Sequence, residues 1–199
     1  GHTGSDRAET LLLNLARGSG LAGISSLEEI RKLTPHIQLV RPLLGFNRNE
    51  TAKICQQWEL PVWIDPSNQN TNFSRNRIRQ EIMPVLEELH PGCSVRMASL
   101  AERLSQYKDD QNAMALQLIE TAQHPEGLCR KTLIKLPLNA RTTVLAVWLK
   151  QNDVPGVSAN QLEELSHKIG KNKPPGCRHL AKKWQVKWLS ESIQLIQPN

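Results

Sequence analysis

Two short segments hold the residue types that can act on a small charged molecule. The first, Gly-His-Thr-Gly-Ser-Asp-Arg-Ala-Glu-Thr at 1–10, places Asp6 and Glu9 three residues apart. On a helix that spacing puts both carboxylates on one face. Such a pair suits an ammonium ligand or a magnesium ion, although acidic residues in a first turn also simply complement the helix dipole. The second segment is Arg75-Asn76-Arg77-Ile78-Arg79, with three arginines in five residues. Cations at a helix start oppose the dipole, so their presence there asks for a functional reason. Guanidinium forks beside free backbone N–H groups bind phosphate. Around a helix Arg75 and Arg79 share a face, while Arg77 points elsewhere.

Other chemistries find less support. The cysteines Cys55, Cys93, Cys129 and Cys177 are scattered and form no Cys-x-x-Cys. This argues for reduced thiols and against structural zinc, iron–sulfur or sulfur-transfer chemistry, so no metal site is assigned. No Gly-x-Ser-x-Gly elbow marks a serine hydrolase.

The elements that must position these residues are legible from their patterning. Residues 6–17 predict a helix with Leu11, Leu12 and Leu15 as its buried stripe, closed by the turn Arg17-Gly18-Ser19-Gly20. Residues 37–43 predict a buried strand, Asn47 with Glu50 a capping box opening a helix to about 58, and residues 61–64 a second strand. That strand, helix, strand order predicts a parallel α/β sheet. A polar loop at 65–73 leads into a helix carrying Ile78, Ile82, Val85, Leu86 and Leu89. Helices follow at about 94–122, 139–151 and 160–167, and strand-like alternation at Trp184, Val186, Trp188 and at Ile193, Leu195.

Charge divides the 199 residues unevenly. The net charge is +6, yet residues 1–129 hold 13 Lys/Arg against 15 Asp/Glu, and residues 130–199 hold 12 against 4. A basic region so concentrated is a footprint for phosphates, with nucleic acid the foremost source, or a solvated surface kept for solubility. Lys182, Lys183 and Lys187 lie in it beside Trp184 and Trp188, which can stack on bases or pack in a core. No apolar run reaches the length of a membrane span.

In order and spacing, several segments resemble the tRNA(Ile)-lysidine synthetase family of N-type ATP pyrophosphatases, the PP-loop class. They are the segment at 1–10, Arg-Gly-Ser-Gly at 17–20, Arg-Pro-Leu-Leu at 41–44, Asp-Pro-Ser-Asn at 65–68, Arg-Asn-Arg-Ile-Arg at 75–79 and Met-Pro-Val-Leu at 83–86. The resemblance implies an α/β fold: the C-terminal part of a PP-loop parallel-sheet domain over residues 1–90, then a mainly helical, basic tRNA-recognition domain with terminal strands over 91–199. It implies a cytoplasmic ligase using ATP with Mg2+, free L-lysine and isoleucine tRNA with a CAU anticodon, and it allows a homodimer. Asp6 and Glu9 match lysine-holding acids, and Arg75 or Arg77 a catalytic-site arginine. His2 and Arg17, Gly18, Ser19 and Gly20 fall beside the nucleotide, and Arg79, Lys182, Lys183 and Lys187 are assigned to the nucleic acid.

Two departures qualify this reading. Where the family motif reads His-His-x-Asp-Asp-Gln, Thr3, Ser5 and Arg7 replace the second His, the first Asp and the Gln. The Ser-Gly-Gly-x-Asp-Ser loop is absent from the 199 residues, which open on Gly1. The expectation is therefore the later part of a longer enzyme, inactive by itself. Two alternatives are a non-catalytic RNA-binding remnant and a sister PP-loop enzyme modifying tRNA cytidine; missing Cys-x-x-Cys weighs against a thiolating one.

Overall fold

The computed structural model describes residues 1–198 apart from Ser26, Pro35 and Ile64. The chain forms two compact units, Gly1–Lys108 and Asp109–Asn199.

The first unit opens with helix α1 (Gly4–Ala16), where Ala8 and Leu11 are buried, and it ends before Gly18 at φ 68°. Helix α2 (Leu21–Ile24) follows, then strands β1 (Ile30–Lys32) and β2 (Gln38–Val40). These pair antiparallel, Ile30 opposite Val40. The parallel pair expected from the sequence, residues 37–43 with 61–64, is not found among the described residues, and the partner of β2 is β1 instead. The chain reverses within a few residues, where the Thr34 hydroxyl accepts from the N–H groups of His36 and Ile37. So short a connection can join only antiparallel neighbours, since parallel strands need a crossover of a dozen residues or more. Residues 61–63 form no strand, and Ile64 lies outside the described residues. Trp58, Val62 and Trp63 are exposed, as are Ile30 and Val40 on the hairpin.

Helix α3 (Arg48–Gln57) starts at the expected capping box: the Asn47 side chain accepts from the Glu50 N–H, and the Glu50 carboxylate from the Asn47 N–H. Beyond the polar loop, helix α4 (Ser74–Arg77), a π turn at Ile78–Ile82 and helix α5 (Met83–Leu89) succeed one another. Pro84 explains the π turn, because proline lacks an N–H and its ring collides with the carbonyl four residues back. Ile78 and Met83 pack on Ala8, with Leu12, Leu86 and Met97 around them. That contact sets the face of α1 bearing Asp6 and Glu9 against the arginine-rich helix start. Helix α6 (Cys93–Thr121) closes the series.

The second unit contains β3 (Gln123–His124), β4 (Gly127–Cys129), α7 (Arg130–Leu133), α8 (Leu138–Gln151), α9 (Ala159–Ile169), β5 (Gly176–His179), β6 (Gln185–Trp188) and β7 (Ser192–Ile196). Its sheet runs β3-β4-β7-β6-β5, antiparallel throughout. The core gathers Leu145, Leu149, Leu165, Val186 and Ile193 with Trp188. The terminal strands occur as expected, but β3, β4 and β5 have two to four residues each, too few to show an alternation. Trp188 is buried and its indole N–H donates to the Pro174 carbonyl at 3.0 Å, so it packs in the core and is not free to stack on a base. Trp184 is half-buried against the same cluster. Arg130 is buried and donates to the carbonyls of Ile169, Gly170, Lys173 and Leu189. It ties the end of α9 to the turns that carry the basic strands.

Candidate active site

Asp6 and Glu9 lie side by side on α1, their side chains 10% and 2% exposed. Arg75 and Arg79 reach them from one face of the helical run, as their spacing requires. Arg79 Nε donates to Glu9 Oε1 at 2.9 Å, and its Nη2 lies 3.0 Å from both Glu9 Oε2 and Asp6 Oδ1. Arg75 Nη2 lies 3.1 Å from Asp6 Oδ1, and its Nε 3.4 Å from Glu9 Oε2. A third guanidinium, Arg48 at the first position of α3, sits with Nη2 3.3 Å from Asp6 Oδ1 and 3.2 Å from Glu9 Oε1.

The other oxygen of Asp6 accepts from the N–H and hydroxyl of Thr3, both at 2.8 Å. Burial works to raise the Asp6 carboxyl, but the two Thr3 hydrogen bonds and then Arg48 and Arg75 outweigh it and hold it below its ordinary range. Glu9 likewise raises the Arg79 guanidinium, chiefly through their hydrogen bonds. The arrangement bears on the choice between magnesium and an amine. All four carboxylate oxygens already receive N–H or O–H donors, and three guanidiniums face two carboxylates. A divalent cation needs free oxygen ligands and meets an uncompensated positive charge. A nitrogen cation instead replaces one N–H donor by another.

The sequence-predicted residues separate into groups. Asp6, Glu9, Arg75 and Arg79 are brought together. Arg77 turns away and makes a forked ion pair with Glu81, both nitrogens at 3.0 Å. His2 lies just before α1, where its Nδ1 accepts from Arg41 Nε at 3.3 Å. Burial first, then Arg41 and Arg75, lower its pKa. Arg17, Gly18, Ser19 and Gly20 lie past the opposite end of α1, roughly 12 Å along the axis from Glu9, and are not drawn into the cluster. Lys182 and Lys183 are exposed on a tight turn at Ala181–Lys183 with φ 52° and 64°, and Lys187 is exposed on β6. All three belong to the second unit. Among the described residues no group of three His, Cys, Asp or Glu could hold a metal ion, and no helix is long and apolar enough to cross a membrane.

Sequence reasoning missed Arg48, Thr3 and Ser5. The Ser5 hydroxyl accepts from the Arg48 N–H at 3.0 Å, so two departures from the family motif carry hydrogen bonds that shape the site. Only the Asn47–Glu50 capping box hinted at Arg48, by fixing it as a first helical residue beside an unfilled donor set.

A cleft beside Glu9 and Arg48 is lined in part by Met83, Pro84, Glu87 and Val95. Glu87 braces its wall by accepting from the N–H of Gly92 at 2.6 Å, the N–H of Ser94 at 2.9 Å and the Ser94 hydroxyl, at the start of α6. The Ser94 hydrogen bonds above all lower its pKa to about 2. A carboxyl lowered on folding contributes stability that is full above its unfolded value, near 4.5, and disappears as pH falls through about 2. Replacing Glu87 by glutamine should therefore cost about 1 kcal/mol at pH 7, in the range of a lost helix cap. It should also flatten the pH dependence of the urea midpoint between those two values; an unaltered slope would contradict the assignment.

Residues 1–86 match the PP-loop domain family. Over 196 residues, 98% of the chain and 58% of the relative, it is 49% identical to the tRNA(Ile)-lysidine synthase of a Prochlorococcus marinus strain. Identity to that of Parasynechococcus marenigrum is 45% over 202 residues, all of this chain and 60% of the relative. For the Nostoc protein of that name it is 46% over 183 residues, 83% of this chain and 54% of the relative. The chain thus spans under two thirds of the length of these curated relatives. The resemblance read from the sequence holds: along nearly its whole length the chain is a homologue of tRNA(Ile)-lysidine synthases, with PP-loop domain sequence in residues 1–86.

Proposed function

We propose that this chain serves in an ATP-dependent carbon–nitrogen ligase that joins free L-lysine to the wobble cytidine of isoleucine tRNA with a CAU anticodon. The observation that carries it is the pair Asp6 and Glu9, both ringed by N–H donors, with the Asp6 carboxyl held below its ordinary range, in a chain homologous to tRNA(Ile)-lysidine synthases. ATP, as its Mg2+ complex, supplies an adenylyl group to the oxygen of the cytidine base and releases pyrophosphate. The ε-amine of lysine then forms the new C–N bond, and the oxygen leaves with AMP. In this reading Asp6 and Glu9 bind the cationic amino acid, while Arg75 and Arg79 hold them in place and face the phosphates. The position of His2, beside Arg41 and before α1, supports a place next to the nucleotide. Release of AMP by the native polypeptide should require both lysine and tRNA; release independent of lysine would reject the reading.

The second unit is assigned to tRNA. Its exposed Lys182, Lys183 and Lys187 and the positive balance of residues 130–199 support this. Each phosphate contact contributes close to one unit to the slope of log affinity against log salt. Replacing Lys182 and Lys183 by alanine should therefore weaken tRNA binding roughly tenfold at moderate salt and reduce that slope by about 1 to 2. An unchanged salt titration would remove these two lysines from the interface.

A further inference from the structure

Asp6 Oδ1 is offered more cations than it can accept. The Nη2 groups of Arg48, Arg75 and Arg79 converge on it at 3.3, 3.1 and 3.0 Å, whereas a carboxylate oxygen presents two lone pairs. With three guanidiniums facing two carboxylates, another cation can enter only where one of the three withdraws.

The three are not held alike. Arg79 makes three bonds to the carboxylates and a fourth to Asn68 at 3.2 Å, and its side chain is 21% exposed. Arg75 uses two nitrogens and is 34% exposed. Arg48 reaches in with one nitrogen and is 43% exposed, from the first residue of α3, where a cation opposes the dipole. That nitrogen sits between one oxygen of Asp6 and one of Glu9, the position an ammonium nitrogen would take. The adjoining cleft offers Met83, Pro84 and Val95 as an apolar floor for a methylene chain.

We propose that Arg48 determines specificity at this site: its guanidinium occupies the ammonium seat in the free protein, yields it to the side chain of free lysine, and then pairs with the carboxylate of the same molecule. The inference rests on the lysine-ligation reading. A diamine lacking the carboxylate displaces Arg48 but gives it no new partner, so the exchange favours an amino acid over the diamine of matching length.

Equilibrium binding of radiolabelled lysine and of cadaverine to the native polypeptide tests this, with Arg48→Gln and Arg48→Lys compared to the parent. Arg48→Gln is expected to weaken lysine at least tenfold while cadaverine binding stays the same or tightens. Arg48→Lys, which keeps a cation, should recover part of the loss and guards against a folding defect. Equal changes for the two ligands, or unaltered lysine affinity in both variants, would overturn the assignment. Asp6→Asn measured alongside separates the two levels: if it leaves lysine binding intact, the lysine site itself is misplaced. If it weakens lysine but the Arg48 variants do not separate the ligands, only the role of Arg48 fails.

Discussion

Replacing Glu9 by glutamine is expected to lower the stability of the protein by about 3 kcal/mol, the low end of what breaking a buried ion pair costs. Its carboxylate is almost fully enclosed and accepts from Arg48, Arg75 and Arg79. A neutral amide presents one acceptor and two donors, so part of the guanidinium array would face N–H groups. The guanidiniums keep some water, which is why the upper end of the range is not expected. Urea unfolding measures the effect. Arg48→Gln should shift the same transition by less than about 1 kcal/mol, since its half-exposed guanidinium is the surplus donor. A loss below about 1 kcal/mol for Glu9→Gln would mean that the cluster contributes little to holding α1 against the arginine-bearing helix start.

Asp6→Asn should reduce lysine affinity by roughly 10- to 100-fold, the worth of a charge-assisted hydrogen bond in a partly desolvated site. Affinity for tRNA should stay within about twofold, because no phosphate contact is removed. The direction of the Asp6 shift adds a pH signature. Held below its ordinary range, Asp6 remains ionised as the solution is acidified past the usual carboxylate midpoint. Lysine binding by the parent protein should therefore stay level through about pH 5 and fall only well below it. Isothermal titration at a series of pH values reads both effects, and a fall beginning near about pH 6 would point to another titrating group.

How far the site could be read in advance depended on the range of the interactions. The helical repeat put Asp6 with Glu9 and Arg75 with Arg79, because one helical turn is a local rule. Arg77 was separated from them by the same rule, and the structure turns it to Glu81. Arg48 lies 42 residues from Asp6, and no periodicity links residues so far apart. Thr3 and Ser5 were seen only as departures from a motif; their hydrogen bonds to Asp6 and Arg48 needed coordinates. In the fold, Asn47–Glu50 announced α3 through capping chemistry. The π turn before Pro84 was hidden because the apolar spacing of Ile78 to Leu89 reads as an unbroken helix. The parallel sheet rested on a strand at 61–64, but Val62 and Trp63 are exposed and residues 61–63 form no strand; a short apolar run does not record whether it finds a partner.

The wobble nucleoside of isoleucine tRNA reports the proposed ligation directly. Unmodified tRNA incubated with the native polypeptide, ATP and lysine, then digested to nucleosides and analysed by mass spectrometry, should yield cytidine enlarged by one lysine less one water, and none when lysine is omitted. Cytidine recovered unchanged from tRNA that the polypeptide demonstrably binds would contradict the ligase reading and leave a protein that holds RNA without modifying it.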